Sequence, residues 1–480
     1  MSAPKRPTLQ EVLDIESVAI IGVSAKLGYY WAHSMLQWNH DLNVWLVSRS
    51  AGNVLGHEIL IDLNDVPEPI DYAIVAVPYK YVPIVVKQAA EKGAKGVTIF
   101  TSGYSELGTE EGKKREEDLA KLIHSLPLRA LGPNCMGLCD PKLGFAFMPT
   151  VKRGIGDVGF LSQSGGVAIA TYTAGVESGI GFSKLFSFGN QIDIGPAEIV
   201  DFFISHDETK TVGGYLEGTH HGRELFNSLR NLSEEKPVVL LKGGRSQEGT
   251  RAASSHTGAL AGSNEVWNAA FKQANVQTVK TLEDLVATLS VFSLSPAPRS
   301  RNVGLLTISG GTSVIYTDMS IESGLSVPKT SPETIKQLDP LIRDVGTGLG
   351  NPIDLAADYY QDQTISDVIR ILGDESRFDS IIIEADVHNI HQVSSIMDAA
   401  DVVEYFWTAM AAAGAKTSNK KGKPVLVALP DVAYQSARAE AWKIFVEHGL
   451  PVFRSFKEAA DALARVCEYY ETKEARSKNI

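Results

Sequence analysis

FLSQSGGVAIATYTAGVESG (160–179) and LLTISGGTSVIYTDMSIESG (305–324) are one design written twice in the same chain. Each begins with an apolar run of strand length, breaks at a Ser-Gly-Gly turn, and continues with the spacing of a helix. Strand, tight turn and helix is the opening move of an α/β unit, so the chain contains at least two such units. The turns also place small residues at helix starts, where free N–H groups and the positive end of the dipole make a site for anions. A serine there is equally an ordinary helix cap, so neither turn alone names a ligand. Together, Ser164-Gly165-Gly166 and Ser309-Gly310-Gly311 supply two helix starts suited to phosphate, able to face one phosphate from opposite sides.

Upstream, the same alternation recurs. SVAIIGVS (17–24), NVWLVSRS (43–50), YAIVAVP (72–78) and GVTIFTSGYSE (96–106) read as strands, with helical stretches between them near 26–38, 82–93 and 110–125, and LRALGPNCMGL (128–138) closes the run. Strands separated by helices of about a dozen residues imply βαβ units on parallel sheets, with ligands at the carboxyl ends of the strands. The linker PAPRSR (296–301) separates the second repeat. The expected domains are 1–145, 146–298 and 299–480, the last including NPIDL (351–355), the strand SIIIEADV (380–387), a Lys-rich loop near 416–424, KPVLVALP (423–430) and a frayed tail from about 472.

The first domain has the pattern of a nucleotide binder. Its first turn, Gly22-Val23-Ser24-Ala25-Lys26-Leu27-Gly28, is not GxGxxG, and the second strand ends in Ser48-Arg49 where an acidic residue would receive the ribose hydroxyls of NAD. Arginine at that position suits a phosphate on the ribose, as in NADP or coenzyme A.

Two further features concern phosphate chemistry. VGGYLEG (212–218) is a strand ending in Glu217, a carboxylate able to orient a histidine and stabilise its cation. RAASSHTGALAG (251–262) surrounds His256 with small residues. Imidazole is a competent nucleophile near neutral pH, and Ser254, Ser255 and Thr257 are placed to hydrogen-bond phosphate oxygens. A Gly- and Ala-rich segment also permits the histidine to travel.

Composition sets the outer bounds. At 480 residues, 44% hydrophobic and 21% charged, the chain is long enough for two or three domains and has no signature of disorder. A net charge of −12 disfavours nucleic acid as a partner. No apolar run has the roughly 18 residues of a membrane span, and MSAPKRPTLQEVLD has no signal-peptide core, so the expected home is the cytoplasm. Three cysteines, Cys135, Cys139 and Cys467, give neither a disulfide framework nor a zinc site, and no metal ligand set is expected.

Taken in order, SVAIIGVS, YAIVAVP, GPNCMG, SQSGGVA, YLEG, SHTGALAG, ISGGTS and NPIDL resemble the alpha subunit of ADP-forming (NDP-forming) acyl-CoA synthetases, of the succinyl-CoA synthetase superfamily. The resemblance covers nearly the whole chain. It implies an α/β architecture with a Rossmann-like CoA-binding domain followed by two flavodoxin-like parallel-sheet domains. By the same resemblance His256 is phosphorylated transiently, Glu217 holds it, and Ser164, Gly165, Gly166, Ser309, Gly310 and Gly311 bind phosphate. Coenzyme A would lie against Gly22, Val23, Ser24, Arg49, Val77, Pro78, Ser102, Gly103 and Asn134.

The implied reaction interconverts acyl-CoA, ADP and phosphate with a carboxylic acid, CoA and ATP, through an acyl phosphate and a phosphohistidine. Relatives often carry Pro in the first turn and Asn-Pro-Lys at the second strand end, where this chain has AKLGYYW and Ser48-Arg49-Ser50. With no ATP-grasp pattern before Ile480, the site for ADP or ATP and Mg2+ is expected on a beta subunit, the assembly being a hetero-oligomer of two alpha and two beta chains. Acetate, propionate, branched-chain, aryl and hydroxy acids are all used within the family. A CoA-binding regulatory protein without turnover and an NADP-dependent oxidoreductase are the competing expectations.

Overall fold

Ser17–Ile21 (β1) is buried at every position, as a strand must be when helices cover both faces of its sheet. Each Val or Ile so buried contributes about 1.5–3 kcal/mol. The computed structural model describes residues 5–38, 41–251, 263–343, 345–397, 400–430 and 434–478. Around β1 stand Asn43–Val47 (β2), Gly52–Val54 (β3), His57–Leu60 (β4), Tyr72–Val75 (β5), Gly96–Ile99 (β6) and Arg129–Leu131 (β7), in the order β3-β4-β2-β1-β5-β6-β7. All neighbours are parallel except the edge hairpin β3–β4. Its two-residue turn, Leu55-Gly56, has positive φ at both positions, the geometry that matches hairpin twist. Because β2 and β5 flank β1, the strand order reverses there and opens a crevice at the strand ends.

The second sheet contains Gly137–Cys139 (β8), Ile155–Ser162 (β9), Phe182–Ser187 (β10), Thr211–Leu216 (β11), Val238–Lys242 (β12) and Gln277–Val279 (β13), in the order β13-β12-β11-β9-β10-β8. The third contains Val303–Thr307 (β14), Ile353–Asp354 (β15), Ser380–Glu384 (β16), Val425–Ala428 (β17) and Val452–Phe453 (β18), ordered β15-β14-β16-β17-β18 and parallel throughout. Counting from β9 in one and β14 in the other, both sheets read 2-1-3-4-5, the flavodoxin-like order. The local repeat in the sequence is therefore a repeat of topology. Gly137–Cys139, which sequence places with the first run of strands, instead joins the edge of the second sheet, antiparallel to β10.

The chain divides into two compact units, Met1–Val176 with Gly181–Lys280, and Glu177–Ile180 with Thr281–Ile480. In the first, Arg6 and Arg129 converge on the buried Asp193, and Arg129 also reaches Glu198, tying β7 to the first turn of the helix Pro196–Ser205 and the segment before it. In the second, the Asn351 side chain pins β14: its amide donates to the carbonyls of Val303 and Pro328, and its oxygen accepts the N–H of Leu305.

Three local readings change. The Lys-rich stretch near 416 is the end of a helix, Ala400–Lys421, where cations suit the dipole. The tail from 472 continues a helix, Phe456–Ser477, whose upstream turns bury Leu463, Val466 and Cys467 against the third sheet's core. Residues 26–36 begin as a 3₁₀ turn, Ala25–Leu27, because Gly28 and Tyr29 both adopt positive φ; the α-helix starts at Tyr30. Among the described residues, no helix is long and apolar enough to cross a membrane.

Candidate functional site

Gly22 sits where β1 gives way to its turn, with φ +105°, and a Cβ there would lie 2.4 Å from the carbonyl oxygen of Ala76. Glycine alone allows β1 and β5 to end this close together. Beyond it, Ser24 caps the 3₁₀ turn, its hydroxyl accepting the N–H of Lys26 at 3.2 Å. The resulting crevice, about 980 Å³, is lined by Gly22, Val23, Ser24, Arg49, Val77 and Pro78 among others. Six of the sequence-predicted CoA residues thus meet in one place.

Its chemistry has two parts. Lys26 and the exposed Arg49 give a basic rim, and the Arg49 guanidinium stands 4.3 Å from the centre of the Tyr81 ring. Arg49, followed by Lys80, pulls the Tyr81 phenol below its ordinary pKa. Ile61 and Ile84, 52% and 57% exposed, line the same crevice. Cations at a glycine-lined strand end, beside apolar surface left open, fit a long ligand with a phosphate-bearing head and an apolar arm. Coenzyme A has that form.

A second crevice of about 420 Å³, the inner crevice, adjoins the first and shares Ala76 and Val77 with it. Ser102 and Asn134 line it from one side, and Gln163, Ser164, Gly165 and Gly166 from the other. The Ser164 turn does what its sequence implies: it opens a 13-residue helix, Gly165–Glu177, whose first amides have no carbonyl one turn back. Gly165 is packed so closely that a Cβ would lie 2.7 Å from Met136 Cγ. Gly103 lines neither crevice; its N–H is taken by Glu106 and its carbonyl by Arg115.

Glu217 follows β11 directly and is 6% exposed. Tyr215 donates its hydroxyl to Glu217 Oε1 at 3.0 Å. Two groups that sequence did not single out fix its backbone. Gln163 Oε1 accepts the N–H of Glu217 at 2.8 Å and that of Gly218 at 3.0 Å, tying the end of β11 to the turn after β9. Lys242, the last residue of β12, donates from Nζ to the Glu217 carbonyl at 2.7 Å and to that of Gly243, with the Trp267 ring 5.2 Å away. Burial draws the Lys242 pKa down to about 8, against the opposing pull of Glu217. Sequence does not mark Gln163 or Lys242 because the bonds that join them to Glu217 cross 54 and 25 positions. The one available sign was a polar residue at the end of an apolar strand.

In the second unit, Ser309, Gly310 and Gly311 open the corresponding helix, Gly310–Glu322, and Ser309 caps it through the Thr312 N–H. Ser309 and Thr312 line a crevice with Tyr316 and Glu384. Glu384 accepts from the Ile308 N–H, the Thr312 hydroxyl and the Tyr316 hydroxyl, and burial pushes its carboxyl above the ordinary range. His256, with Ser254, Ser255 and Thr257, lies outside the described residues. Among the described residues, no group of three His, Cys, Asp or Glu is placed to hold a metal.

Residues 16–141 match a CoA binding domain model and residues 155–292 a succinyl-CoA ligase like flavodoxin domain model. The chain is 30% identical to the alpha subunit of acetate–CoA ligase [ADP-forming] II of Pyrococcus furiosus, covering 93% of this chain and 94% of that one. It is also 30% identical to the alpha subunit of form I from the same organism, covering 97% and 98%. Among solved structures, the ADP- and phosphate-bound acetyl-coenzyme A synthetase 1 of Candidatus Korarchaeum cryptofilum superposes with a TM-score of 0.84 at 25% identity, covering 98% of this chain and 99% of that one. The chain belongs to the family of ADP-forming acetate–CoA ligase alpha subunits.

Proposed function

We propose that this chain is the CoA- and phosphate-handling subunit of an ADP-forming acyl-CoA synthetase. The observation that carries the reading is the adjacency of two crevices that share Ala76 and Val77, one with a basic rim and the other lined by a helix start beside Glu217's strand. On this reading Gly22, Val23, Ser24, Arg49, Val77 and Pro78 hold CoA, while Ser102 and Asn134 flank the thioester end. Ser164, Gly165 and Gly166 hold phosphate, and Ser309, Gly310 and Gly311 take the same role in the second unit.

The chemistry follows from these placements. Phosphate oriented by the Gly165 helix start attacks the thioester carbonyl; a C–O bond forms, the C–S bond breaks, and the thiolate leaves. The helix amides stabilise the charge that develops there. His256 then attacks phosphorus in the acyl phosphate, forming an N–P bond as the carboxylate departs. Glu217 supports this step by holding the imidazole in one tautomer and stabilising its cationic adduct. The phosphoryl group next passes to ADP, with Mg2+, on an ATP-grasp beta subunit, and the assembly is a heterotetramer of two alpha and two beta chains.

The test is intact mass of the purified chain after mixing with acetyl phosphate, run beside His256→Ala. An acid-labile gain of about 80 Da, one phosphoryl group, on wild type alone is the expected result. No gain with any of a panel of acyl phosphates would refute the phosphohistidine route, and an equal gain on the alanine variant would move the chemistry elsewhere.

A further inference from the structure

We infer that Gln163 is a catalytic residue of this site, its Nε2 group donating to an oxygen of the phosphate held at the Gly165 helix start. The inference deepens the proposed function and rests on it. Gln163 lies immediately after β9, one residue before the Ser-Gly-Gly turn. It is only 3% exposed, yet it lines the inner crevice beside Ser164, Gly165 and Gly166.

The orientation of its amide is set by its neighbours. Two backbone N–H groups, those of Glu217 and Gly218, point at one end of the side chain, so that end must be the oxygen. The –NH2 end is thereby turned the other way, and Nε2 has no hydrogen-bond partner among the described residues. A buried amide donor left without a partner is costly, so a folded protein keeps one where something else receives it. Gln163 lines the inner crevice at a helix start already disposed toward anions, and phosphate bound there supplies the missing acceptor.

The same side chain thus does two things at once. Through Oε1 it fixes the strand end that carries Glu217, and through Nε2 it offers a donor to the group transferred. Phosphate contacted in this way is registered against Glu217 by a single rigid amide. A neutral donor is suited to the task, because it grips an oxygen without trapping the anion as a lysine would.

The test compares Gln163→Glu with Gln163→Ala in the full chain. Glutamate keeps an acceptor for the two backbone N–H groups but cannot donate, whereas alanine loses both functions. Binding of inorganic phosphate to the CoA-saturated chain is measured by calorimetry, together with CoA affinity and Tm. We expect Gln163→Glu to weaken phosphate about tenfold or more, because the donor is lost and a negative charge is added. Gln163→Ala, which adds no charge, should weaken phosphate as well, with CoA affinity close to wild type in both and Tm lowered in the alanine variant by the loss of the acceptor for two backbone N–H groups. Unchanged phosphate affinity in Gln163→Glu overturns the inference alone. So does a Tm loss in Gln163→Glu equal to that of Gln163→Ala with CoA and phosphate weakened alike, which would make the residue purely structural. A wild-type chain that binds CoA but no phosphate overturns the proposed function and this inference together.

Discussion

Arg129 grips Glu198 through two parallel bonds, Nη1 to Oε1 at 2.9 Å and Nη2 to Oε2 at 2.6 Å, while its Nε turns to Asp193. Asp193 is the hub: its side chain is 3% exposed and also receives Arg6 at 2.6 Å and the backbone N–H of Ala130 at 2.8 Å. Removing the hub leaves Arg129 its pair with Glu198 but takes the carboxylate partner from Arg6 and the acceptor from the Ala130 N–H. Asp193→Ala should therefore cost about 3–5 kcal/mol, read as a lower urea midpoint with an unchanged slope. A variant as stable as wild type would show that the cluster contributes little.

Arg49 lies exposed on the rim of the outer crevice, stacked on Tyr81 and, among the described residues, paired with no carboxylate. Its loss should leave stability within about 0.5 kcal/mol of wild type. If it receives the phosphate on the ribose of CoA, Arg49→Ala should bind CoA about tenfold more weakly, as for one charge-assisted bond. Affinity for dephospho-CoA, which lacks that phosphate, should be unaltered. Equal losses for both ligands would assign Arg49 to another part of the molecule.

Lys242 has a consequence for pH. Its folded-state pKa is depressed to about 8 from 10.5, so below about pH 8 both folded and unfolded chains carry the proton and the folded state bears the full cost of burying the charge. Between about 8 and 10.5 the folded chain gives up the proton first, and stability rises with pH. The stability of wild type relative to Lys242→Met should accordingly increase from pH 7.5 to pH 10.5, by no more than about 3 kcal/mol at about 1.4 kcal/mol per unit. A difference that is flat or falls over that interval would place the ammonium in a wetter setting than the structure gives it.

Asn351 makes three bonds to the backbone around β14 and sits at φ +67°, a conformation that asparagine tolerates better than most residues. Asn351→Ala should destabilise the second unit by about 2–4 kcal/mol, since one donor and two acceptors lose their partner. Acetyl phosphate labelling of the chain, which depends on the first unit in the proposed mechanism, should persist in the folded fraction. Thermal unfolding followed alongside intact mass checks both halves of the expectation.

The contrast between Asn351 and Gln163 shows what sequence could and could not convey. Apolar runs such as SVAII and SIIIE announce buried parallel strands because both faces of the sheet are covered, and the Ser-Gly-Gly turns announce helix starts through local chemistry. Motif likeness singled out Gly22 and Ser164, which line adjoining crevices, and Glu217, whose N–H is held by Gln163. By contrast, Gln163 meets Glu217 across 54 positions, and no local pattern encodes a pairing of that range. Gly137–Cys139 is similar: three residues cannot say which sheet they will edge, and the antiparallel choice is made by β10. The lysines near 420 misled for a different reason, since solvated charge marks a loop and a helix terminus alike.

Ala76 and Val77 form a wall common to both crevices, and this gives the molecule a ruler. A ligand anchored by its phosphates near Arg49 can present its far end to the Gly165 helix only if the arm between them spans that wall. On the proposed reading, the thiol carrier is then selected by length before any atom at the reacting centre is inspected. A nucleotide without the arm would occupy the outer crevice and compete for it, yet never reach the phosphate.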